Sequence, residues 1–290
     1  MEKRPTVFWF GAVIATAGLA VPALATGKGP IFPAPRESSA TAGDFVLDQA
    51  SIIAIPASPS QQDLFLARML AEELGDRFDV HLKIERLEHL APAKKSIVMG
   101  SFSSPLVAEY CAGHALKVDA RNPGPEGYIL SAGPEIVVVA GSDDRGAFYG
   151  LQSLRQLAVE RSGALHLAGY EIRDWPTKPF RGFKLYLPGR NNIPFFKRFV
   201  RDTLALYKYN TLIVEMNASM RLDRHPELNS AWVRFSRETN YWRHNYPPGA
   251  PHDIEINSSH QDTADGGFLE KDEVADLARY VRQFYIDFVP

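Results

Sequence analysis

The chain has 290 residues, room for two domains, and its 45% hydrophobic and 23% charged residues are typical of a folded protein rather than a disordered or fibrous one. The 32 Lys and Arg residues against 34 Asp and Glu residues give a net charge of −2, which argues against a nucleic-acid-binding surface. The one cysteine, Cys111, excludes an internal disulfide framework and a cluster of thiolate metal ligands.

The amino-terminal segment has the features of a secretory signal peptide over residues 1–25. Lys3 and Arg4 precede an apolar stretch at 7–24, which ends in the small-x-small sequence Ala23-Leu24-Ala25. A retained membrane anchor is the alternative, but glycines and a proline dilute the stretch, which is at the lower limit for spanning a bilayer. We therefore expect an exported protein, periplasmic or secreted, with no membrane association after cleavage.

Residues 26–44 are rich in Pro, Ser, Ala and Thr, which predicts a flexible leader. From 45 to 173 strand-like and helix-like patterns alternate. The predicted strands are 51–55, 80–84, 96–100, 126–130 and 135–140, and the predicted helices are 61–74 and 146–160. Gly75 is expected to end the first helix, and Gly133-Pro134 to join the last two strands as a hairpin. This order predicts an α+β domain with helices packed on a sheet.

Two prolines within 174–179 indicate a domain boundary. Beyond it the pattern predicts strands at 180–187, 210–216 and 285–289, helices at 193–208 and 270–283, and an irregular stretch at 217–267. This order indicates a parallel α/β unit. It fits the first three β/α units of an incomplete (β/α)8 TIM barrel over 174–290, because a whole barrel needs about 250 residues. We therefore expect the chain to be a fragment of a longer protein.

Four segments share the order and spacing of one family's motifs. They are Arg145-Gly-Ala-Phe-Tyr-Gly-Leu-Gln-Ser-Leu-Arg-Gln-Leu157, Glu171-Ile-Arg-Asp-Trp-Pro176, Pro179-Phe-Arg-Gly182 and Leu206-Tyr-Lys-Tyr-Asn-Thr-Leu212. Over roughly 52–290 the chain resembles family 20 glycoside hydrolases, the β-N-acetylhexosaminidases. The resemblance implies a zincin-like α+β domain, named for its shape and not for bound zinc, followed by a (β/α)8 barrel. It also implies removal of a terminal N-acetylhexosamine from a glycan or chitin fragment, without a cofactor.

The mechanism implied by the resemblance is substrate-assisted, retaining catalysis. The 2-acetamido carbonyl attacks the anomeric carbon, a Glu protonates the leaving oxygen, and a neighbouring Asp holds the acetamido group. In the family this Asp-Glu pair follows the fourth barrel strand, so the resemblance assigns no catalytic residue to this chain. We expect the chain alone to be inactive. A non-catalytic carbohydrate-binding relative on the same scaffold is the alternative.

By the same resemblance, Arg181 occupies the position of an Arg that binds hydroxyls at the non-reducing end of the sugar. A guanidinium suits this task because its planar fork can donate to two neighbouring oxygens. The alternative for Arg181 is an ion pair with a nearby carboxylate at the start of a strand.

Some positions differ from the family pattern. The family's Asp and its Arg-His on the first strand correspond here to Tyr186 and to Arg190 and Asn191. Its second strand leads into two Asp residues and a Gln, where this chain has Glu215-Met-Asn-Ala-Ser219. Glu215 and Asn217 are therefore candidate substrate-binding residues, and the changes predict an altered glycan preference.

The stretch at 217–267 contains five aromatic residues and half of the histidines. Aromatic rings stack on the apolar faces of sugars, so Trp242, with His260 and Asp262 at the pocket mouth, are further candidates for substrate binding. The alternative is that 231–237 forms a short amphipathic helix with its aromatic side chains packed inward. No pair of these histidines has helical i,i+4 spacing, which argues against a metal site.

Overall fold

The computed structural model describes residues 29–91, 93–216, 219–239, 263 and 266–290. Its elements fall into two groups, the amino-terminal unit at 29–174 and the carboxyl-terminal unit at 175–290. The first contains a seven-stranded and a three-stranded sheet, and the second a three-stranded parallel sheet. Among the described residues, no helix has the length and apolar character needed to cross a membrane.

The strands of the amino-terminal unit are β1 (Glu37–Ala40), β2 (Phe45–Val46), β3 (Ile52–Pro56), β4 (Lys83–Leu87), β5 (Ser96–Ser101), β6 (Tyr128–Ala132), β7 (Ile136–Gly141), β8 (Ala158–Arg161), β9 (Ala164–Leu167) and β10 (Tyr170–Asp174). Its helices are α1 (Gln61–Phe78), α2 (Pro105–Gly113) and α3 (Asp144–Leu157). The large sheet has the order β1-β10-β6-β7-β5-β3-β4, and β2-β9-β8 form the small one. Strands β4, β3, β5 and β7 are parallel to one another. From β7 to β1 each strand is antiparallel to the one before it in the order β7-β6-β10-β1.

Helices cover both faces of the large sheet. Successive side chains of a strand point to opposite faces, so Ile53 and Ile97 contribute to one core and Ala54 and Val98 to another. Helices α1 and α3 pack on the first face, whereas Leu106 of α2 packs on the second. Because both faces are covered, the parallel strands β3, β5 and β7 are buried runs of mostly apolar residues, and this made them recognisable in the sequence.

Several predicted boundaries are corrected by the structure. Helix α1 continues through Gly75 and ends at Phe78. The next residue, Asp79, closes the helix with a φ of 55° and an N–H that bonds two carbonyls of the last turn. The strand expected at 80–84 lies at β4, three residues later. Helix α3 ends at Leu157 because 158–161 pair with β9 as a strand.

The leader at 26–44 is not flexible throughout. Strand β1 lies within it and pairs antiparallel with β10, with Glu37 opposite Arg173. All four side chains of β1 are exposed, so no hydrophobic alternation indicated this edge strand. Ile31, also within the leader, is buried in the core. The signal-peptide residues lie outside the described part of the chain.

The carboxyl-terminal unit contains β11 (Gly182–Tyr186), a 3-10 turn (Arg190–Asn192), α4 (Ile193–Phe199), a π-helical segment (Val200–Ala205), β12 (Thr211–Glu215), α5 (Pro226–Thr239), α6 (Lys271–Arg282) and β13 (Asp287–Val289). The strands lie in the order β11-β12-β13 and are parallel. Helix α5 corrects the expectation that 217–267 is irregular.

The parallel sheet of this unit is covered on one face. Leu212, Val214 and Phe288 are buried in the core with residues of α4 and α6. The alternate residues, including Ile213 and Val289, are exposed on the opposite face. That face, together with the carboxyl ends of its strands, carries the polar side chains described next.

Candidate functional site

A polar cluster lies at the carboxyl ends of β11 and β12. Parallel register places Tyr186 beside Glu215, and both share the exposed face of the sheet with Lys184. The Nζ of Lys184 lies 2.5 Å from Oε2 of Glu215 and 5.6 Å from the centre of the Tyr186 ring. The hydrogen bond to Glu215 raises the pKa of Lys184. A carboxylate, an ammonium and an aromatic face together suit a ligand rich in hydroxyl groups.

A bidentate ion pair holds the loop after β11 next to this cluster. Arg190 donates from Nε and Nη2 to the two carboxylate oxygens of Glu273 at 2.9 and 2.8 Å, and from Nη2 to the carbonyl of Phe268 at 2.9 Å. The hydrogen bonds from Arg190 lower the pKa of Glu273 to about 2. Glu273 also accepts from the backbone N–H of Glu270 at the start of α6. The pair therefore joins the loop after β11 to α6.

An open cleft of about 470 Å³ lies in the segment that follows β12. Its lining includes Arg221, Asp223, Asn229, Ser230 and Phe268. Asn229 accepts from the N–H of Leu222 at 2.8 Å and donates to the carbonyl of Met220 at 3.1 Å, which fixes α5 against the preceding loop.

Arg181 lies at the opposite end of β11. Its Nη2 is 2.7 Å from Oε2 of Glu126, its Nε donates to the carbonyl of Lys208 at 2.7 Å, and its Nη1 donates to that of Lys178 at 2.9 Å. The guanidinium also lies 5.2 Å from the centre of the Tyr149 ring. Burial, with Glu126 nearby, raises the pKa of Tyr149 to about 12.

A second buried ion pair lies beside Arg181. The Nζ of Lys208 is 3.0 Å from Oδ2 of Asp174 and 2.9 Å from the hydroxyl of Tyr128. That hydroxyl is in turn 2.6 Å from the Oγ of Ser153. Burial lowers the pKa of Lys208, and the Asp174 carboxylate opposes this effect. Both ion pairs join a cation of the carboxyl-terminal unit to a carboxylate of the amino-terminal unit.

These groups border a cavity of about 300 Å³ between the two units. Its lining includes Arg36, Glu126, Tyr128, Tyr149, Asp174, Trp175, Phe180, Arg181 and Lys208. In each ion pair the cation bonds to the carboxylate of the other unit, and Arg181 also donates to nearby carbonyls. The main structural effect of the two pairs is therefore to join the units.

The structure does not bring the predicted site residues together. Arg181 precedes β11, whereas Glu215 ends β12 in register with Tyr186, five residues further along, or about 16 Å at 3.3 Å per residue. Arg181 forms the carboxylate ion pair that was its alternative interpretation, and a sugar-binding role for it stays a prediction. Glu215 lies at the carboxyl end of β12, and a substrate-binding role for it also stays a prediction. Asn217, Trp242, His260 and Asp262 lie outside the described residues.

Of the aromatic residues at 217–267, only Trp232 and Phe235 are among the residues that the structure describes. Trp232 and Phe235 belong to α5, which supports the helix interpretation there. The Nε1 of Trp232 donates to the Oγ1 of Thr263 at 2.8 Å, and its ring centre lies 5.9 Å from that of Phe235. Phe235 is 46% exposed, so the inward packing that this interpretation also expected is wrong for its side chain.

Two contributors were missed from the sequence, Lys184 and Glu273. The two-residue period of a strand places Lys184 on the same face as Tyr186, which was a usable signal. The partner of Arg190 lies 83 residues further along the chain, and nothing local indicates it. Among the described residues, no three His, Cys, Asp or Glu side chains are grouped so as to hold a metal ion.

Curated relatives match the chain in sequence. It is 26% identical over 272 residues to a "Beta-hexosaminidase" of Porphyromonas gingivalis, covering 90% of this chain and 29% of the relative. It is 30% identical over 172 residues to a "Beta-hexosaminidase" of Akkermansia muciniphila, covering 57% of this chain and 30% of the relative. The chain thus spans about 30% of the length of these relatives.

Solved structures share the fold. The Streptomyces plicatus N-acetyl-β-hexosaminidase in complex with Thio-NAglucal matches with a TM-score of 0.61 at 20% identity, covering 91% of this chain and 46% of that one. A Vibrio harveyi family 20 exo-β-N-acetylglucosaminidase in complex with N-acetylglucosamine matches with a TM-score of 0.61 at 18% identity, covering 90% and 35%. At these identities the likeness establishes the fold alone.

The family profile described as "Glycosyl hydrolase family 20, domain 2" matches residues 28–175, just over half of the chain. This match contains β1 to β10 and α1 to α3, the whole of the seven-stranded sheet and its helices. The chain belongs to glycosyl hydrolase family 20.

Proposed function

We propose that this chain is the amino-terminal part of an exported β-N-acetylhexosaminidase, which hydrolyses terminal N-acetylhexosamine residues from glycans. Its amino-terminal unit would be the zincin-like domain at 45–173. Residues 174–290, which include the carboxyl-terminal unit, would be the first three β/α units of a (β/α)8 barrel. The names of the curated relatives, of which the matched part is about 30%, support this assignment.

The observation that carries the proposal is the half-covered parallel sheet with Lys184, Tyr186 and Glu215 at its carboxyl edge. Parallel sheets in α/β proteins are buried on both faces, so an exposed face with Ile213 and Val289 fits one side of a larger closed sheet. In barrels of this kind the substrate binds at the carboxyl ends of the strands, where the Lys184–Glu215 pair lies.

In the proposed mechanism, the substrate's 2-acetamido oxygen attacks the anomeric carbon while a Glu protonates the leaving oxygen. An Asp beside that Glu orients the acetamido group. We place this Asp-Glu pair in the part of the protein beyond residue 290. The groups contributed by this chain would bind and orient the sugar: Glu215 would accept hydrogen bonds from hydroxyls, and Lys184 would hold Glu215 in position.

The test uses the full-length protein and aryl β-glycosides that differ at the 2-position. We expect hydrolysis of the N-acetylglucosaminide and not of the glucoside, because the glucoside lacks the internal nucleophile. Glu215→Gln should lower kcat/KM about tenfold to a hundredfold, the effect of weakening charged hydrogen bonds. Glu85→Gln is the matched control. Glu85 lies on β4 and pairs with Lys94, so weakening this pair should leave kcat/KM unchanged.

Equal hydrolysis of both glycosides, or an unaffected Glu215→Gln variant, would contradict the proposal. Saturable binding of N-acetylglucosamine without turnover would favour the non-catalytic relative. Arg181→Ala separates the two interpretations of that residue. If Arg181 binds the sugar, the substitution should raise KM. If Arg181 only joins the two units, the substitution should lower Tm and leave KM unchanged. The 290-residue chain alone should show no turnover.

Export is proposed from the signal-peptide pattern at 1–25. When the full-length protein is expressed with its natural amino terminus, the mature protein should begin near Thr26 and lie outside the cytoplasm. Amino-terminal sequencing of the fractionated protein measures this. An intact Met1 in the cytoplasmic fraction would contradict export.

A further inference from the structure

The cavity between the two units has a buried floor and an exposed rim. Its floor consists of Tyr128, Tyr149 and Lys208, which are 1%, 1% and 7% exposed. The exposed rim is formed by Pro33, Ala34, Arg36, Thr177, Lys178 and Phe180. We call this space the junction cavity. Ligand sites are common between domains, and a volume of about 300 Å³ is at the lower end of those that hold small molecules. The cavity therefore suits a ligand with one ring.

An aromatic ring at the rim is held in place although it is exposed. Phe180 is 62% exposed. Because Gly182 has no side chain, this ring lies against its backbone, and a Cβ there would be 2.3 Å from a ring atom. Trp175 and two prolines, Pro33 and Pro176, belong to the same lining. An exposed ring beside other apolar side chains offers a surface on which the flat face of a ligand can stack.

The lining has an excess of positive charge. It contains four cations and two carboxylates, and both carboxylates belong to the ion pairs that join the units. The side chains of the two other cations, Arg36 and Lys178, form no ion pair within the described part of the chain. Arg36 is held at the rim, because its Nε donates to the carbonyl of Trp175 at 3.1 Å and its guanidinium lies 4.8 Å from the centre of the indole ring. This charge balance favours an anionic ligand over a neutral or cationic one.

We propose that the junction cavity binds a small carboxylate that carries one ring with an apolar face. The carboxylate accepts hydrogen bonds from Arg36 and Lys178, and the ring lies on Phe180. A guanidinium suits the first contact because its planar fork matches the two oxygens of a carboxylate. An aromatic acid and an acidic monosaccharide share this chemistry. The cavity lies at the other end of β11 from Tyr186 and Glu215, so this site is separate from the one in the proposed function.

The test is a titration of the 290-residue chain followed by amide chemical shifts. The probes are benzoate for an aromatic acid and glucuronate for an acidic sugar, with neutral N-acetylglucosamine and inorganic sulfate for comparison. We expect saturable shifts around Arg36 and Phe180 with at least one of the two carboxylates. Raising the ionic strength from about 0.05 to 0.5 M should weaken this binding, because salt screens charges at an exposed rim.

Matched substitutions separate charge from shape. Arg36→Gln should weaken carboxylate binding about threefold to tenfold, the effect of one charged contact at an exposed position. Lys83→Gln removes an exposed cation on β4, at the opposite edge of the large sheet from β1, and should leave binding unchanged. Ala34→Trp fills the cavity from an exposed position and should abolish the shifts, whereas Ser38→Trp on β1 should leave them unchanged.

Each outcome decides the proposal. Carboxylate-dependent shifts that Arg36→Gln and Ala34→Trp reduce support it, and the tighter probe shows whether the ring is aromatic or a sugar. No saturable shift with either carboxylate would overturn it, as would binding that Arg36→Gln leaves unchanged. Equal affinity for sulfate, which has no ring, or for N-acetylglucosamine, which has no charge, would also overturn it. Carboxylate shifts confined to residues around Lys184 and Glu215 would overturn it too, without contradicting the function proposed for that other end of the sheet.

Discussion

Lys208 offers the sharpest test of how the two units are joined. Its side chain is 9% exposed, and that of its partner Asp174 is 13% exposed. Replacing Lys208 by Met removes the ammonium and keeps most of the side-chain volume. It leaves the Asp174 carboxylate with the hydroxyl of Tyr128 at 3.1 Å and the N–H of Arg36 at 3.2 Å as donors.

Removing one partner of a buried ion pair costs about 3–5 kcal/mol, because the other charge stays buried. Because the Asp174 carboxylate keeps two donors, we expect Lys208→Met to lower the free energy of unfolding by about 3 kcal/mol, the lower end of this range. The backbone contributes little to the difference, since φ at Lys208 is 62° and Met is as strained there as Lys. Adding Asp174→Asn should recover part of the loss, because the double variant has no uncompensated charge.

The assay is urea unfolding of the 290-residue chain, monitored by far-ultraviolet circular dichroism and by tryptophan fluorescence. Trp175 lines the same cavity and reports on the junction. Lys95→Met is the matched control: its ion pair with Asp48 has a distance of 2.9 Å but lies at the surface, so less than about 1 kcal/mol should be lost. Equal unfolding free energies for Lys208→Met, the control and the parent would refute this account of the junction.

Three further predictions concern single positions. The pKa of Glu273 is lowered to about 2, so its pair with Arg190 stabilises the fold above pH 4.5 and loses that effect as the pH falls towards 2. Tm measured from pH 7 to 3 should therefore decline less steeply for Glu273→Gln than for the parent. Gly146→Ala places a Cβ 2.0 Å from the carbonyl oxygen of Gly127 and should cost about 1–3 kcal/mol in urea unfolding, whereas Gly113→Ala meets no atom within 4 Å and should cost little. Burial raises the pKa of Cys111, so a thiol reagent at pH 7 should label it far more slowly in the folded chain than in urea; equal rates would contradict its burial.

The buried strands were predictable and the exposed ones were not. Strands β3, β5 and β7 are continuous apolar runs, because both faces of the parallel sheet are covered. Strand β1 is held by backbone hydrogen bonds with all its side chains exposed, so its sequence resembles that of a linker. Helix α2 has few polar residues to give it a periodic pattern, and it was not predicted.

The candidate site was only partly predictable. The family resemblance identified Glu215, and strand periodicity would have added Lys184. Arg181 precedes its strand in the sequence, so it lies at the other end of β11 from Tyr186 and Glu215. Its partner Glu126 is 55 residues away in the chain, so only the folded structure pairs the two.

The two ion pairs at the junction also limit how this protein can be recombined. A cut within 175–179 would leave Glu126 and Asp174 on one half, and Arg181 and Lys208 on the other. A chimera that joins either half to an unrelated sequence at this cut would leave the two carboxylates, or the two cations, of that half without their partners. Successful exchange of the first half between relatives would therefore require both cation positions to be transplanted along with it.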